Sequence, residues 1–343
     1  IALAAGLRDA GRGAFQLITD FAGMEEEAFA LLRRVVRASG RPLSFTLTEG
    51  VAGGPLSPRW KEILDWVGEA RTEGLPIRAQ VLGRAIGLVY GHELTLHPFY
   101  STATYEAMAT LPLPDRLIQL CRPEVRERML AEPVDTDPSN VLGRMVRDFE
   151  RMFLLGDPPD YEPEPSTSVA ERARRLGITA EALAYDLLLE REGRNQLYYA
   201  LSNYTQGSLE NCLTMMRHPG SVLGLGDGGA HCGTICDGSA PTFMLTHWGR
   251  DRRRGERLSL PWIVKALSHD TATAIGLEDR GLVTPGGKAD LNVLDLDRLR
   301  LHPPAVACDL PSGGRRLVQR ADGYVATIDR KSTRLNSSHL VIS

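Results

Sequence analysis

Three apolar runs near the start of the chain alternate with amphipathic stretches, and this alternation limits the folds open to it. The runs lie at residues 15–21, 42–49 and 77–82, and apolar residues at helical spacing separate them at 25–39 and 58–72. Strand, helix and strand in regular succession is typical of parallel βα units, in which helices cover a parallel sheet. The sequence therefore predicts an α/β fold.

The segment from about 90 to 165 breaks this alternation, because it is rich in proline and in charged residues. We interpret it as a long insertion that carries helices near 123–132 and 141–152. Beyond it, Thr179 is the expected N-cap of a helix over 179–191. The further expected elements are a helix at 168–176, a strand at 197–203, a helix at 208–216, a strand before Asp227, a last helix at 261–274, and short β runs at 290–295, 315–319 and 324–328.

Composition excludes several classes of function. The net charge of -3 gives no case for a nucleic-acid partner or an anionic membrane surface. The five cysteines form no C-x-x-C pair, which argues against a disulfide framework and a structural zinc site. No apolar run approaches the roughly 18 residues of a membrane helix. We expect a cytoplasmic protein with a small-molecule substrate. Assembly into a homo-oligomer is possible.

Both ends of the chain are unusual. It opens at Ile1 inside an apparent helix and without an initiator Met, so we expect a fragment whose upstream part would also hold any signal peptide. Residues 329–343 resemble a translated sequencing adapter, and most of this stretch has neither a helical nor a strand period. We expect it to be a non-native tail.

The most informative segment runs from Ser221 to Gly233 and reads SVLGLGDGGAHCG. Its apolar strand pattern ends in Asp227 on a glycine-rich loop, which is how α/β barrels present catalytic groups at the carboxyl ends of their strands. Further along, Gly281 to Asp295 read GLVTPGGKADLNVLD. Together the two segments resemble the amidohydrolase superfamily and, within it, the D-aminoacylase (N-acyl-D-amino-acid deacylase) group.

The resemblance implies a fold built from a (β/α) barrel and a β-sandwich that takes strands from both chain ends. On this interpretation the chain holds a partial TIM-like barrel, about its last five strands, over 1–275. The insertion at about 90–165 interrupts that barrel. The C-terminal part of the sandwich follows at 276–328.

Amide hydrolysis needs a nucleophilic water and a proton for the departing amine. A divalent metal and a carboxylate can supply both. The resemblance implies that Asp227 is this carboxylate, acting as proton shuttle and as metal ligand, with zinc as the expected ion. The alternative is an Asp that only caps a turn or a helix.

The chain departs from the deacylases at two strands that carry metal-binding histidines in those enzymes. The corresponding strands hold Thr46 with Glu49 and Arg78 with Gln80, and no histidine occurs within residues 1–91. A two-metal site built on those histidines is therefore excluded. Glu49 or Gln80 could serve as oxygen ligands, which favour harder metals than zinc. The other ligands would lie upstream of the chain.

Three residues are candidates for substrate binding. Arg84 ends a strand at the predicted active face, where it could clamp a carboxylate or form a surface salt bridge. His231 could bind a substrate carboxylate or a transition-state oxygen, or it could stabilise a turn. His97, at the start of the insertion, could line the pocket or be a packed loop residue.

The remaining polar residues of these segments are expected to be structural. We expect Cys232 and Cys236 to be small buried thiols. We expect His247 to pack and His269 to brace the last helix, and Asp237 carries no specific signal.

The expected reaction is hydrolysis of a C–N amide bond, with an N-acyl amino acid as substrate, although the chain by itself should be inactive. A hydantoinase-like hydrolase of cyclic amides is the alternative enzyme. A metal-free relative that acts as a binding or scaffold protein is a further alternative, and a carboxylate-pair glycosidase is another. Motifs of nucleotide-binding proteins and of serine hydrolases are absent from the sequence.

Overall fold

The computed structural model describes residues 1–18, 26–50, 59–133, 137, 139–224, 226 and 229–329, and the backbone of 332–335 and 340–342. The strands of these residues, β1 to β14 in chain order, are Phe15–Leu17, Leu43–Thr46, Ile77–Val81, Ile86–Tyr90, Met152–Leu154, Leu197–Ser202, Ser221–Leu223, Asp290–Leu294, Arg300–Leu301, Ala305–Ala307, Arg316–Asp322, Tyr324–Asp329, Ser332–Leu335 and Leu340–Ile342.

The helices α1 to α13 are, in the same order, Ala2–Ala10, Glu26–Ser39, Trp60–Thr72, Ala103–Glu106, Leu113–Leu120, Pro123–Ala131, Val141–Met145, Val169–Leu176, Ala180–Gly193, Glu210–Arg217, Ala240–Phe243, Leu260–Lys265 and Thr271–Ala274. The π-helical segments Met244–Asp251 and Ala266–Asp270 continue α11 and α12. Short 3-10 turns occupy Phe149–Arg151, Pro165–Thr167 and Pro311–Gly313. No helix in the described part of the chain is long and apolar enough to cross a membrane.

Four strands form a parallel sheet in the order β1, β2, β3, β7. Successive side chains of a strand point to opposite faces, so the sheet has two distinct sides. On one side β3 contacts helices α2, α3 and α10, and the ring of Phe29 from α2 packs edge-on against Phe45 of β2. The other side carries the polar residues Gln16, Ser44 and Gln80. The expected α/β character is therefore confirmed.

One of the five strands expected in the parallel series, the strand at 197–203, lies in another sheet. Strand β6 pairs antiparallel with β4 and β5, so the expected five parallel strands are four among the residues described. Gly87 on β4 explains the pairing, because a Cβ there would lie 2.3 Å from the ring of Tyr198 on β6. The Tyr198 hydroxyl also donates to the carbonyl of Ala85 at 2.7 Å.

The insertion contains more helix than the sequence predicts. The predicted helix at 123–132 matches α6, whereas the one at 141–152 ends early, at Met145, and α4 and α5 were not predicted. These helices share a second hydrophobic core with α8, α9 and β6, separate from the core under the parallel sheet. Its fully buried members include Phe99, Leu120, Met129, Tyr185 and Leu197.

Two local predictions beyond the insertion are confirmed. The Thr179 hydroxyl accepts a hydrogen bond from Ala182 N at 3.2 Å, as an N-cap of α9 does. Regular helical geometry in α9 ends before Glu190, which is extended, and Arg191 and Glu192 then have positive φ. The predicted helix at 261–274 is present as α12, its π-helical continuation and α13.

The C-terminal residues form two small sheets. Strands β8, β12 and β13 make one, and β10, β11 and β14 make the other, with β9 paired to β11. The tail from 329 is expected to be non-native and to take no part in the fold, yet β13 pairs with β12 and β14 with β11. The free backbone groups at a sheet edge accept any extended segment, whatever its side-chain pattern.

Candidate functional site

A cavity of about 310 Å³ lies where the carboxyl ends of β3 and β7 meet the loop that follows β7. Ligand sites of open α/β sheets form at this edge. The lining is mostly apolar or glycine: Val81, Leu82, Gly83, Leu223, Gly224, Gly226, Asp237, Gly238, Ala240, Pro241, Met244, Leu267 and Thr271.

Asp227, the predicted catalytic residue, lies outside the described residues. Its neighbour Gly226 lines the cavity, so position 227 is one peptide bond from the cavity wall. The catalytic role of Asp227 stays a prediction.

Arg84 extends from the end of β3 into the loop that follows β7. Its Nη2 donates to Asp237 Oδ1 at 2.5 Å and to the carbonyl of Cys236 at 2.8 Å, and its Nη1 donates to Ser239 Oγ at 3.0 Å. The side chains of Arg84 and Asp237 are only 3% and 5% exposed, so this ion pair is buried and the surface salt bridge considered for Arg84 is excluded. The guanidinium braces the loop, while its role as a substrate clamp stays a prediction.

The charge of Arg84 is stabilised inside the protein. Burial lowers the pKa of Arg84, but Tyr161, Asp237 and Tyr198 outweigh this effect and raise it above its ordinary value. The guanidinium carbon lies 4.2 Å from the ring centroid of Tyr161, as in a cation–π contact. Arg84 therefore stays protonated and balances the carboxylate of Asp237.

Neither of the two histidines predicted to bind substrate lines the cavity. His231 is exposed with φ of 52°, and its carbonyl accepts from the backbone N of Thr234 at 2.8 Å and of Ile235 at 2.9 Å. These hydrogen bonds agree with the alternative that His231 stabilises a turn. His97 is 1% exposed, and its Nδ1 accepts from Phe99 N at 3.2 Å. The structure therefore does not bring Arg84, His231 and His97 into one site.

His97 belongs to a buried aromatic cluster of the insertion. Its ring centroid lies 4.2 Å from that of Tyr105 and 5.0 Å from that of His92. Burial, followed by His92 and Arg116, lowers the pKa of His97. Burial, followed by Arg116, lowers the pKa of His92 to about 4. Both imidazoles are therefore neutral at physiological pH.

Glu49, a candidate metal ligand, is 3% exposed and lies just beyond β2. One carboxylate oxygen accepts from Thr205 N at 2.5 Å and the other accepts from Asn211 Nδ2, while Glu49 N donates to Asn203 Oδ1 at 3.1 Å. Glu49 thus joins the end of β2 to the segment after β6, and protein donors occupy both of its oxygens.

Gln80, the other candidate ligand, belongs to the polar side of the parallel sheet. Its Oε1 accepts from Gln16 Nε2 at 3.2 Å and its Nε2 donates to Ser44 Oγ at 3.0 Å. A Cβ on Gly224 would lie 3.5 Å from Gln80, which places this side chain beside the cavity edge.

The residues that the structure describes do not assemble a metal site. Among them, no three His, Cys, Asp or Glu side chains lie together as ligands of one ion. Glu49 and Gln80 both hydrogen-bond to other residues of the protein. The described residues by themselves therefore do not fit the metal that the family resemblance implies.

Two polar features were missed by the sequence reasoning. Asp237 lines the cavity, and its only local signal was a place in the loop after β7. Glu162 is held by Arg252, whose Nε and Nη2 each donate at 3.0 Å, and lies 2.7 Å from His247 Nε2. Although burial raises the pKa of Glu162, the hydrogen bonds from His247 and Arg252 outweigh it and lower the value to about 2. No sequence signal links Glu162 to partners so distant in the chain.

Comparison with known proteins gives one family match. Residues 2–328 match the family model described as the amidohydrolase family. A search of curated proteins finds no significant match.

Several solved structures are similar to the chain. One is an N-acyl-D-glutamate deacylase from Bordetella bronchiseptica, complexed with zinc and a phosphonate inhibitor, at 14% identity and a TM-score of 0.43; the match covers 90% of this chain and 50% of that one. Another is a D-aminoacylase described with a binuclear metal center, at 16% identity and a TM-score of 0.49, covering 97% and 54%. A further D-aminoacylase matches at 16% identity and 0.46, covering 94% and 53%. The chain spans about half the length of these proteins.

Proposed function

The chain belongs to the amidohydrolase family, and from that membership we propose that the protein hydrolyses C–N amide bonds in small molecules. The substrates we propose are N-acyl amino acids, with the D-amino acids first. The supporting observation is that the family match spans the cavity at the ends of β3 and β7, whose wall includes the neighbour of Asp227.

In this proposal Asp227 carries the proton chemistry. A carboxylate at the rim of the cavity accepts a proton from the attacking water and returns it to the departing amine nitrogen. Amide hydrolysis needs both transfers, because a free amide anion is too poor a leaving group. Arg84 supports this geometry from behind by holding the loop that contains Asp237.

We also propose the finer architecture that the resemblance implies. The order β1, β2, β3, β7 with helices on one side is the arrangement of neighbouring strands in a (β/α) barrel. The proposed limits are 1–275 for the barrel part with its insertion at about 90–165, 276–328 for the sandwich part, and 329–343 for a tail.

A divalent metal is part of the proposal, with zinc as the first ion to test. When bound, such an ion would lower the pKa of a water molecule and polarise the substrate carbonyl. Asp227 is the ligand we assign in this chain. Glu49 or Gln80 could contribute only by giving up the hydrogen bonds to Asn211 or Ser44.

The test is an assay, on the full-length gene product, of amine release from N-acyl-D- and N-acyl-L-amino acids, with hydantoins as the competing substrates. Asp227→Asn should lower the rate by about 10²- to 10⁴-fold, while Asp115→Asn at an exposed helix start should leave it unchanged. Equal rates for wild type and Asp227→Asn would overturn the proposal, and turnover of hydantoins alone would favour the cyclic-amide alternative. Hydrolysis by residues 1–343 alone would contradict the expected inactivity of the isolated chain.

A metal-free binding protein is the second candidate function. The observation that favours it is that the described residues hold no group of three metal-ligating side chains. Metal analysis of the complete gene product separates the two candidates. A stoichiometric metal ion supports the hydrolase. The absence of such an ion, together with no effect of Asp227→Asn, supports the binding protein.

A further inference from the structure

We infer that the cavity at the ends of β3 and β7 binds the apolar, uncharged part of the substrate, such as a short acyl chain or an aliphatic side chain. This inference rests on the proposed function, which places the scissile amide beside position 227. It adds the chemical class of the group that fills the cavity.

The shape and wall of the cavity favour a short hydrocarbon group. Its volume of about 310 Å³ is at the lower end of the ~300–1,000 Å³ of small-molecule sites. The apolar residues Val81, Leu82, Leu223, Met244 and Leu267 are part of its wall. Met244 is flexible and polarizable, so it can adjust to groups of somewhat different shape.

Several polar groups of the wall already have partners within the protein. The Thr271 hydroxyl donates to the carbonyl of Leu267 at 2.9 Å, and Gly224 N donates to the carbonyl of Val81 at 3.0 Å. Ala240 N donates to the carbonyl of Asp237 at 2.9 Å. A ligand hydroxyl or amide buried here would lose its water without gaining one of these donors, which disfavours polar groups in the cavity.

Charge in the wall also disfavours an ionic ligand. Asp237 is the only ionisable residue among the described residues of the lining, and Arg84 balances it from outside the cavity. An anionic group would meet the Asp237 carboxylate without reaching Arg84. A cationic group would have to compete with a buried ion pair of 2.5 Å. The cavity therefore disfavours both anionic and cationic ligand groups.

Carboxylic acids that resemble the released acyl group are suitable probes. Binding of butyrate, hexanoate and adipate to the protein is measured by saturation-transfer NMR and calorimetry. Two added methylenes at about 0.8 kcal/mol each predict that hexanoate binds about 15-fold more tightly than butyrate. Adipate, with a second carboxylate at the far end of the same chain, should bind no better than butyrate.

Variants locate this binding. Ala240→Leu fills the cavity and should remove the advantage of hexanoate over butyrate, whereas Ala131→Leu, the same change at the exposed end of α6, should keep it. Leu267→Ala enlarges the cavity and should extend the gain to octanoate. Circular dichroism and thermal unfolding show which variants are folded. If Ala240→Leu does not fold, Leu267→Ala is the variant that tests the inference.

Tight binding of adipate, or the same chain-length profile in wild type and in the folded cavity variants, would overturn the inference. Because the probes are not hydrolysed, these outcomes are independent of amide turnover. If the full-length gene product shows chain-length-dependent binding but hydrolyses no amide, the apolar site is supported and the proposed function is rejected.

Discussion

Arg84 Nη2 and Asp237 Oδ1 lie 2.5 Å apart in the protein interior, although 153 positions separate them in the chain. Strands β3 and β7 share only three register pairs, from Ala79↔Ser221 to Val81↔Leu223. The ion pair extends this short contact beyond the strand ends and fixes the loop that forms one wall of the cavity.

Removing one partner of this pair should be strongly destabilising. Arg84→Met leaves the Asp237 carboxylate buried without its counter-charge, which predicts a loss of about 3–5 kcal/mol in the free energy of unfolding. The double variant Arg84→Met with Asp237→Leu should lose less than the sum of the two single changes. Urea denaturation measures both, with Arg217→Ala at an exposed pair as the control. A single variant as mild as that control would contradict the prediction.

The buried histidines should make the protein sensitive to mild acid. The folded-state pKa of His92 is about 4, below the ordinary 6.5, so the unfolded chain takes up this proton first as the pH falls. The contribution of neutral His92 to the free energy of unfolding is fully present above pH 6.5. It is lost as the pH falls towards 4, by up to about 3 kcal/mol. Melting temperatures across this range should depend less on pH in His92→Phe. An unchanged pH profile in that folded variant would rule out His92 as the cause.

Glu162 should control stability at lower pH. Its folded-state pKa is about 2 against an ordinary 4.5, so its contribution is present above pH 4.5 and is lost as the pH falls towards 2. At neutral pH, Glu162→Gln should cost about 3 kcal/mol, because the side chain of Arg252 is fully buried. Glu210→Gln, which alters the half-exposed partner of the same arginine, should cost much less. Equal losses in the two variants, measured by denaturation at pH 7, would speak against this assignment.

Two glycines should respond in opposite directions to alanine. A Cβ on Gly87 would lie 2.3 Å from the Tyr198 ring, so Gly87→Ala should destabilise the β4–β6 pair by about 1–3 kcal/mol. Gly6, inside α1, has no neighbour within 4 Å of such a Cβ, and Gly6→Ala should stabilise by about 0.5–1 kcal/mol. Thermal unfolding of both variants checks the signs. Destabilisation by Gly6→Ala or tolerance of Gly87→Ala would count against the described packing.

The parts of the fold that the sequence predicted are those fixed by local pattern. Apolar spacing predicted the parallel strands β1 to β3 and the helix α3 between two of them, and a side-chain oxygen before a helix predicted the Thr179 cap. These signals are local because helix periodicity and capping act over a few residues. The resemblance to the amidohydrolases, drawn from the segments around Asp227 and Asp290, is confirmed by the family match over residues 2–328.

The parts that were missed depend on contacts between residues distant in the chain. The partner of β6 is set by the space that Gly87 leaves for Tyr198, and no local pattern encodes that match. Asp237 and Glu162 acquire their roles only through Arg84 and Arg252. Spacing in sequence gave no indication of either pairing, since many arginines are available to form each of them.

The pairing of β3 with β7 has a consequence for synthesis on the ribosome. Every residue from 82 to 220 must emerge before Leu223 can lie beside Val81, so the edge of β3 stays unpaired on this side while that segment is synthesised. The intervening segment has its own apolar core and can collapse meanwhile. Because such long-range closure is slow, the nascent protein should need chaperones most during this interval.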